Sequence, residues 1–445
     1  MNPLLPWIAK TLSSSTLRTL RRQGHACWRT LTGKTPTVHV FISPADPYSV
    51  LLLQVLPQLK QRFNVDWQCH TVMERPADMY PKPEYWFKHA LQDSQHLSRL
   101  YDLPVLRCLP DDEQIEALAH LWATHEETPE FLEQTRHSGL QLWTHNEMHF
   151  DQQVDVTCHR IAERIISRNE SLRHKLGHYF SAMLYFEGEW YWGLDRLAHL
   201  ETRLNQAGFH NPNEGPCRIE FNRQHAHFCS APANPATNPT TNAESKTLTL
   251  YFSLRSPYSY LALVKAQQLH EHYGVKIDLR VVLPMVMRGL TVPNQKKMYI
   301  FYDTKREADM QKIPYGFLTD PLGKGVLNCY ALYDAAQKQG KGFELMLSFA
   351  KGINSEARNA ENAHDLRLMV ERAGLDWASL KEALVDAQDP SSDEPPAWRA
   401  WADQHEQALY QLGLWGVPCL VMDELTLWGQ DRFFVIEQRL ASQSA

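Results

Sequence analysis

Cysteine is sparse in this chain: eight in 445 residues, and no two are spaced as C-x-x-C. The sparseness excludes a disulfide scaffold, and the spacing excludes a dithiol active site or a zinc ribbon. Reduced thiols point to a cytoplasmic compartment. No uninterrupted apolar run approaches the roughly 20 residues a membrane helix needs, so no integral span is expected. Acids are missing from residues 1–37, which hold six bases: Lys10, Arg18, Arg21, Arg22, Arg29 and Lys34. The rest of the chain is left with 39 bases against 51 acids. So acidic a body argues against broad nucleic-acid binding, which needs a basic surface.

Residues 1–36 read as a basic helical segment that is solvated or makes peripheral contact with anionic lipid or a partner. The apolar run Leu4 to Ala9 is broken by Pro6 and precedes its charges, unlike a secretory signal. In a eukaryotic source the same composition would fit a mitochondrial presequence. Ser230–Lys246 has three prolines and no aliphatic side chain larger than alanine, so 230–246 reads as a linker.

Beyond it, Thr247–Leu254 alternates as a strand, Tyr260–Tyr273 has helical spacing stopped by Gly274, and Val275–Val282 is a second strand. Strand, turn, helix, strand is a βαβ unit with a parallel pair. The arrangement occurs earlier as well, with Thr37–Ser43, a turn at Asp46–Ser49, Val50–Phe63 and Val65–Val72. Both halves close on a similar motif, WGLDR at Trp192–Arg196 and WGQDR at Trp428–Arg432. The turns are 210 residues apart and the tryptophans 236, so the second copy is about 26 residues longer between landmarks. The expected fold is α/β: two thioredoxin-like domains in tandem at 37–229 and 247–445, each with an inserted helical subdomain.

Ser256 occupies the strand-to-helix turn of the second copy, where free backbone N–H groups and the helix dipole favour an anion such as a thiolate. Its alternative role is simply to cap the helix, with Pro257 at the first helical position. Gly416-Val417-Pro418, opening the strand CLVM, has the character of a cis-proline loop. A backbone beside such a loop can pair with a peptide-like ligand as an added strand.

SPYSYLA, GVP and WGQDR, in this order, resemble the 2-hydroxychromene-2-carboxylate isomerase and kappa-class glutathione transferase branch of the DsbA-like thioredoxin superfamily. Tyr299–Pro314 matches that family's helix before its G-I-P-type break. The resemblance spans about 247–441, and 38–205 resemble the same family more distantly. It implies glutathione as cofactor or co-substrate, with Ser256 catalytic beside its sulfur. Val417 and Pro418 would receive the tripeptide, Gln430, Asp431 and Arg432 would hold its polar ends, and Lys296 would be a further contact. Tyr258, Cys419 and Trp428 are further pocket candidates. The implied reaction is isomerisation or transfer on a small conjugated or electrophilic substrate.

In the first half Asp46 stands where Ser256 stands, a carboxylate that would repel any thiolate. Phe180-Ser181-Ala182 replaces the proline loop, so this half is expected to be a degenerate structural copy. His145-x-x-x-His149 and the His225–Cys229 stretch do not complete a metal-ligand pattern, so no metal is expected. The competing readings are a non-catalytic tandem scaffold that binds glutathione or a partner protein, and a monothiol oxidoreductase using Cys419. Either a homodimer or a monomer with an internal pseudo-dimer fits the duplication.

Overall fold

Thr37–Ile42 (β1) and Thr247–Phe252 (β5), both rich in β-branched and aromatic residues, become the inner strands of two four-stranded sheets. Val38, Val40 and Ile42 on one face of β1, and Leu248, Leu250 and Phe252 on one face of β5, are fully buried, so that face of each strand lies in the core, while the opposite face opens toward its N-terminal end. The computed structural model describes residues 4–80, 82–146, 156–213, 215–225, 228–229, 246–386 and 396–442. The linker expected at 230–246 lies outside them except for Lys246.

The chain divides into an N-terminal unit, Thr19–Ala226, and a C-terminal unit, Met1–Arg18 with His227–Ala445. Residues 1–36, read above as one segment, are thus split between the units. The helix Leu5–Leu12 (α1) belongs to the C-terminal unit, where the Trp7 ring meets Phe317 at 5.0 Å and Lys10 lies over both rings. The boundary falls within Ser15–Thr32 (α2), whose later residues pair with acids of the N-terminal unit.

In the N-terminal unit β1 is followed by Pro47–Arg62 (α3) and Asp66–Thr71 (β2). Four helices come next: Pro83–Leu100 (α4), Asp112–His125 (α5), Phe131–His145 (α6) and Val156–Leu176 (α7). The hairpin Met183–Phe186 (β3) and Glu189–Trp192 (β4) and the helix Leu197–Gln206 (α8) close the unit. In the C-terminal unit β5 is followed by Pro257–Tyr273 (α9) and Lys276–Val281 (β6). The helices Asn294–Met310 (α10), Lys324–Gln337 (α11), Gly342–Ser355 (α12) and Ala363–Arg372 (α13) come next. Two short helices, Trp377–Leu380 (α14) and Ala383–Asp386 (α15), precede Ala397–Gln411 (α16). Cys419–Met422 (β7), Leu425–Trp428 (β8) and Phe433–Ala441 (α17) complete the chain. No helix of the described residues is long and apolar enough to cross a membrane.

The sheets have orders β2-β1-β3-β4 and β6-β5-β7-β8, each with one parallel pair and two antiparallel pairs. Their registers coincide: Phe41 pairs with Met183 and Met183 with Trp192, while Tyr251 pairs with Cys419 and Cys419 with Trp428. Side-chain bonds repeat as well. Tyr48 donates to Asp93 at 2.7 Å and Tyr258 to Asp303 at 2.6 Å. Ser49 accepts from the Ser43 amide at 3.1 Å and Ser259 from the Ser253 amide at 3.4 Å. The added length of the second copy falls between β6 and β7 and leaves the sheet frame untouched.

Candidate active site

Ser256 ends the turn after β5, in extended backbone, and Pro257 sets the first residue of α9. Its Oγ accepts from the Ser259 amide at 3.3 Å and so caps the helix. The same hydroxyl donates to the Val417 carbonyl at 3.4 Å. One half-buried side chain thus caps α9 and touches the Gly416–Pro418 loop.

The Val417–Pro418 peptide bond is cis, in keeping with the loop's sequence. Pro418 is buried and its carbonyl accepts from the Gly429 amide at 2.9 Å. Val417 is half-buried, and among the described residues its amide donates no hydrogen bond. Gly416 has no room for a side chain, since a Cβ there would lie 2.4 Å from Cζ2 of Trp428. That indole, itself half-buried, meets the buried Trp415 edge-on at 4.4 Å beside the loop.

Around this core, Tyr258 is fixed by its bond to the buried Asp303, which also accepts from Arg306 at 2.9 Å. Arg255 grips Asp320 with two bonds of 2.7 Å. Burial alone would raise the Asp320 carboxyl, but the Arg255 fork holds it below the usual range. Lys296 lies half-buried in the first turn of α10.

The Gln430–Arg432 turn departs from the expectation that all three residues present polar groups to a ligand. Gln430 is 1% exposed and Arg432 2%, while Asp431 stays partly exposed. The Gln430 carboxamide donates to Glu307 at 3.1 Å and to Asp431 at 2.5 Å, and accepts from Gln311 at 3.3 Å. Its backbone carbonyl accepts from the buried Lys265 at 2.9 Å. These residues form one turn of 3-10 helix, whose three-residue period turns the outer two inward when the middle one faces out.

Two buried cations escaped the reading of the sequence. Lys265 was hidden as one lysine in the apolar run of α9. Arg288, in a 3-10 turn after β6, has a side chain only 2% exposed and donates to the Trp415 carbonyl at 2.5 Å. Its Nη1 is 3.6 Å from Glu406, and its Nε and Nη1 have no hydrogen-bond partner among the described residues. Nothing in the local sequence marks this arginine as part of the loop's support.

Cys419 is fully buried, and its Sγ donates to the Gly416 carbonyl at 3.0 Å. Burial pushes the thiol well above its ordinary value, so the reactive thiolate is disfavoured. This removes the physical basis of a monothiol reaction at Cys419.

At the matching place in the N-terminal unit, Asp46 caps α3 by accepting from the Tyr48 amide at 3.0 Å. It also accepts from Ser49 at 3.0 Å and Ser181 at 2.6 Å. Burial raises this carboxyl despite those bonds. Tyr80, Trp86 and Phe180 pack ring against ring nearby. The sequence reading has this carboxylate repelling any thiolate; here its oxygens are taken up by Tyr48, Ser49 and Ser181 at the head of α3.

Glu74, Glu170 and His174 lie close enough to share a cation. However, Arg173 already pairs with Glu170 and lies 3.7 Å from Glu74, supplying the positive charge internally. His149 and His227 lie outside the described residues.

Residues 247–441 match the DSBA-like thioredoxin domain family. They form a DsbA-like thioredoxin domain. This domain is similar to the 2-hydroxychromene-2-carboxylate isomerase of Sphingobium xenophagum, with 28% identity over 206 residues, 44% of this chain and 98% of the relative. A solved 2-hydroxychromene-2-carboxylate isomerase is 23% identical, covers 44% of this chain and 96% of its own, and superposes with a TM-score of 0.36. The cytosolic disulfide reductase DsbM of Pseudomonas aeruginosa, solved with GSH, is 16% identical over 43% of this chain and 99% of its own, with a TM-score of 0.32.

Proposed function

We propose that the DsbA-like domain binds glutathione and uses it to isomerise, or transfer it to, a small conjugated or electrophilic substrate. The observation that carries this reading is the Ser256 hydroxyl, seated on the N-terminus of α9 and 3.4 Å from the carbonyl before Pro418. Disulfide exchange needs a thiolate at this turn, and serine cannot form the mixed disulfide. Serine can instead donate to a thiolate held there, reinforced by the helix dipole.

The groups present fit such a ligand. The Val417 amide, without a partner among the described residues, offers a donor for backbone pairing, and the half-buried Trp428, backed by Trp415, offers apolar surface. Partly exposed Asp431 suits an ammonium group, with Gln430 and Arg432 buried behind it as positioning residues. Arg288 sets a buried positive charge beneath the loop, and Lys296 is a further contact from α10. When bound, glutathione would supply the thiolate nucleophile. The chain's part is to lower the thiolate's proton affinity, orient it through Ser256 and Val417, and shield it with the Trp428 indole.

The N-terminal unit is, on this reading, a degenerate thioredoxin-fold copy whose ligand position is filled by Asp46. Calorimetric titration of glutathione into the purified protein tests the proposal. Saturable binding is expected, weakened at least about tenfold by Ser256→Ala through loss of a hydrogen bond to a charged group. Asp431→Asn should weaken it by a similar factor. No heat at millimolar glutathione would sink the glutathione-dependent reading in favour of a non-catalytic scaffold.

A further inference from the structure

Helix α2 is mounted with its charged face inward. Arg22 forms a two-bond pair with Glu189 at 2.7 and 2.8 Å, and Arg29 pairs with Glu187 while lying 4.8 Å from the Phe209 ring. His25 comes so close to Gly188 that a Cβ there would lie 2.6 Å from its Nε2. These residues recur at helical spacing and anchor α2 to the β3–β4 hairpin of the N-terminal unit. The opposite arc carries Leu20, Gly24, Cys27, Trp28 and Leu31, within about 100° at 3.6 residues per turn. All are exposed, Leu20 by 58%, Trp28 by 63% and Leu31 by 77%. A surface helix ordinarily turns this stripe to the core, and an apolar stripe turned outward marks a contact surface.

We propose that the outward face of α2 docks on an anionic lipid surface. Charge selects this occupant. Residues 1–37 contain no acid, and Arg21 and Lys34 are exposed at the stripe's rim. A second copy of α2 would therefore bring only like charge to that rim, whereas an anionic headgroup layer brings the opposite charge. Tryptophan and leucine over a basic rim are the side chains that settle at a headgroup boundary. The preceding α1 has the same chemistry, with Leu5 and Ile8 48% and 51% exposed.

The test is co-sedimentation of the full chain with phosphatidylcholine vesicles, with and without phosphatidylglycerol. Binding is expected with phosphatidylglycerol and should fade as salt rises. The triple variant Leu20→Ser, Trp28→Ser, Leu31→Ser should bind at least tenfold more weakly, and Arg21→Glu with Lys34→Glu comparably so. Circular dichroism checks that each variant folds, and Trp28→Ser alone serves if the triple variant does not. Failure of the wild type to bind either vesicle overturns the proposal, as does unchanged binding by the folded variants. So does a lipid-free dimer, seen by sedimentation velocity, that the same apolar substitutions dissociate. Glutathione titration is read separately, so the two proposals fail independently.

Discussion

Ser256 caps α9 and, on the proposed reading, also donates to a bound thiolate, two roles that one substitution can separate. Ser256→Ala should cost about 1 kcal/mol of stability through the lost cap, and turnover should fall by far more than that implies. Thermal unfolding and initial rates read the two effects. Gly416 tests the loop differently: Gly416→Ala drives a methyl group into Trp428 and should destabilise by about 1–3 kcal/mol in urea unfolding. His39 offers a pH test in the N-terminal unit. Burial and the nearby His70, 3.0 Å away, push its imidazole down to about 4, whereas in the unfolded chain it titrates near 6.5. Between those values the unfolded state binds the extra proton, so the contribution is full above 6.5 and is lost as pH falls toward 4. His39→Phe should flatten that part of the stability-against-pH curve, measured as the urea midpoint across the window.

At the scale of elements, β1, α3, β2 and their counterparts β5, α9, β6 were legible from alternation, helical spacing and the turn prolines, because local pattern and tertiary burial agree there. The loop before β7 was legible too, since glycine and proline have few other uses at a strand's start. The inward turn of Gln430 and Arg432 was not, because polar residues flanking a 3-10 turn read as exposed until the packing of α9 and α10 is known. Arg288 escaped for a similar reason, as its role comes from a carbonyl more than a hundred residues away. The orientation of α2 is the sharpest case. Its amphipathic pattern is plain in the sequence, yet periodicity alone cannot say which face meets the protein. The matching of α3 to α9 carries its own expected outcome. Asp46→Ser restores the Ser256-type cap but leaves Tyr80, Trp86 and Phe180 in place. Calorimetry on that variant should still find one glutathione per chain, and a second site would overturn the view of a filled pocket.

Across the whole molecule, two sheets of matching register differ only in what their helices and turns do with the same frame. The frame tolerates the second copy's extra length because that length enters between β6 and β7, where helices face solvent on one side and need not keep strand register. The C-terminal unit is assembled from both ends of the chain, with Trp7 against Phe317 and the buried Ser13 close to Gly316. This has a consequence during translation. α1 leaves the ribosome well before its docking surface, which follows roughly 300 residues later, a delay of about 15–60 s at ordinary elongation rates. Throughout that interval α1 must travel undocked, available to whatever chaperone or surface meets it first.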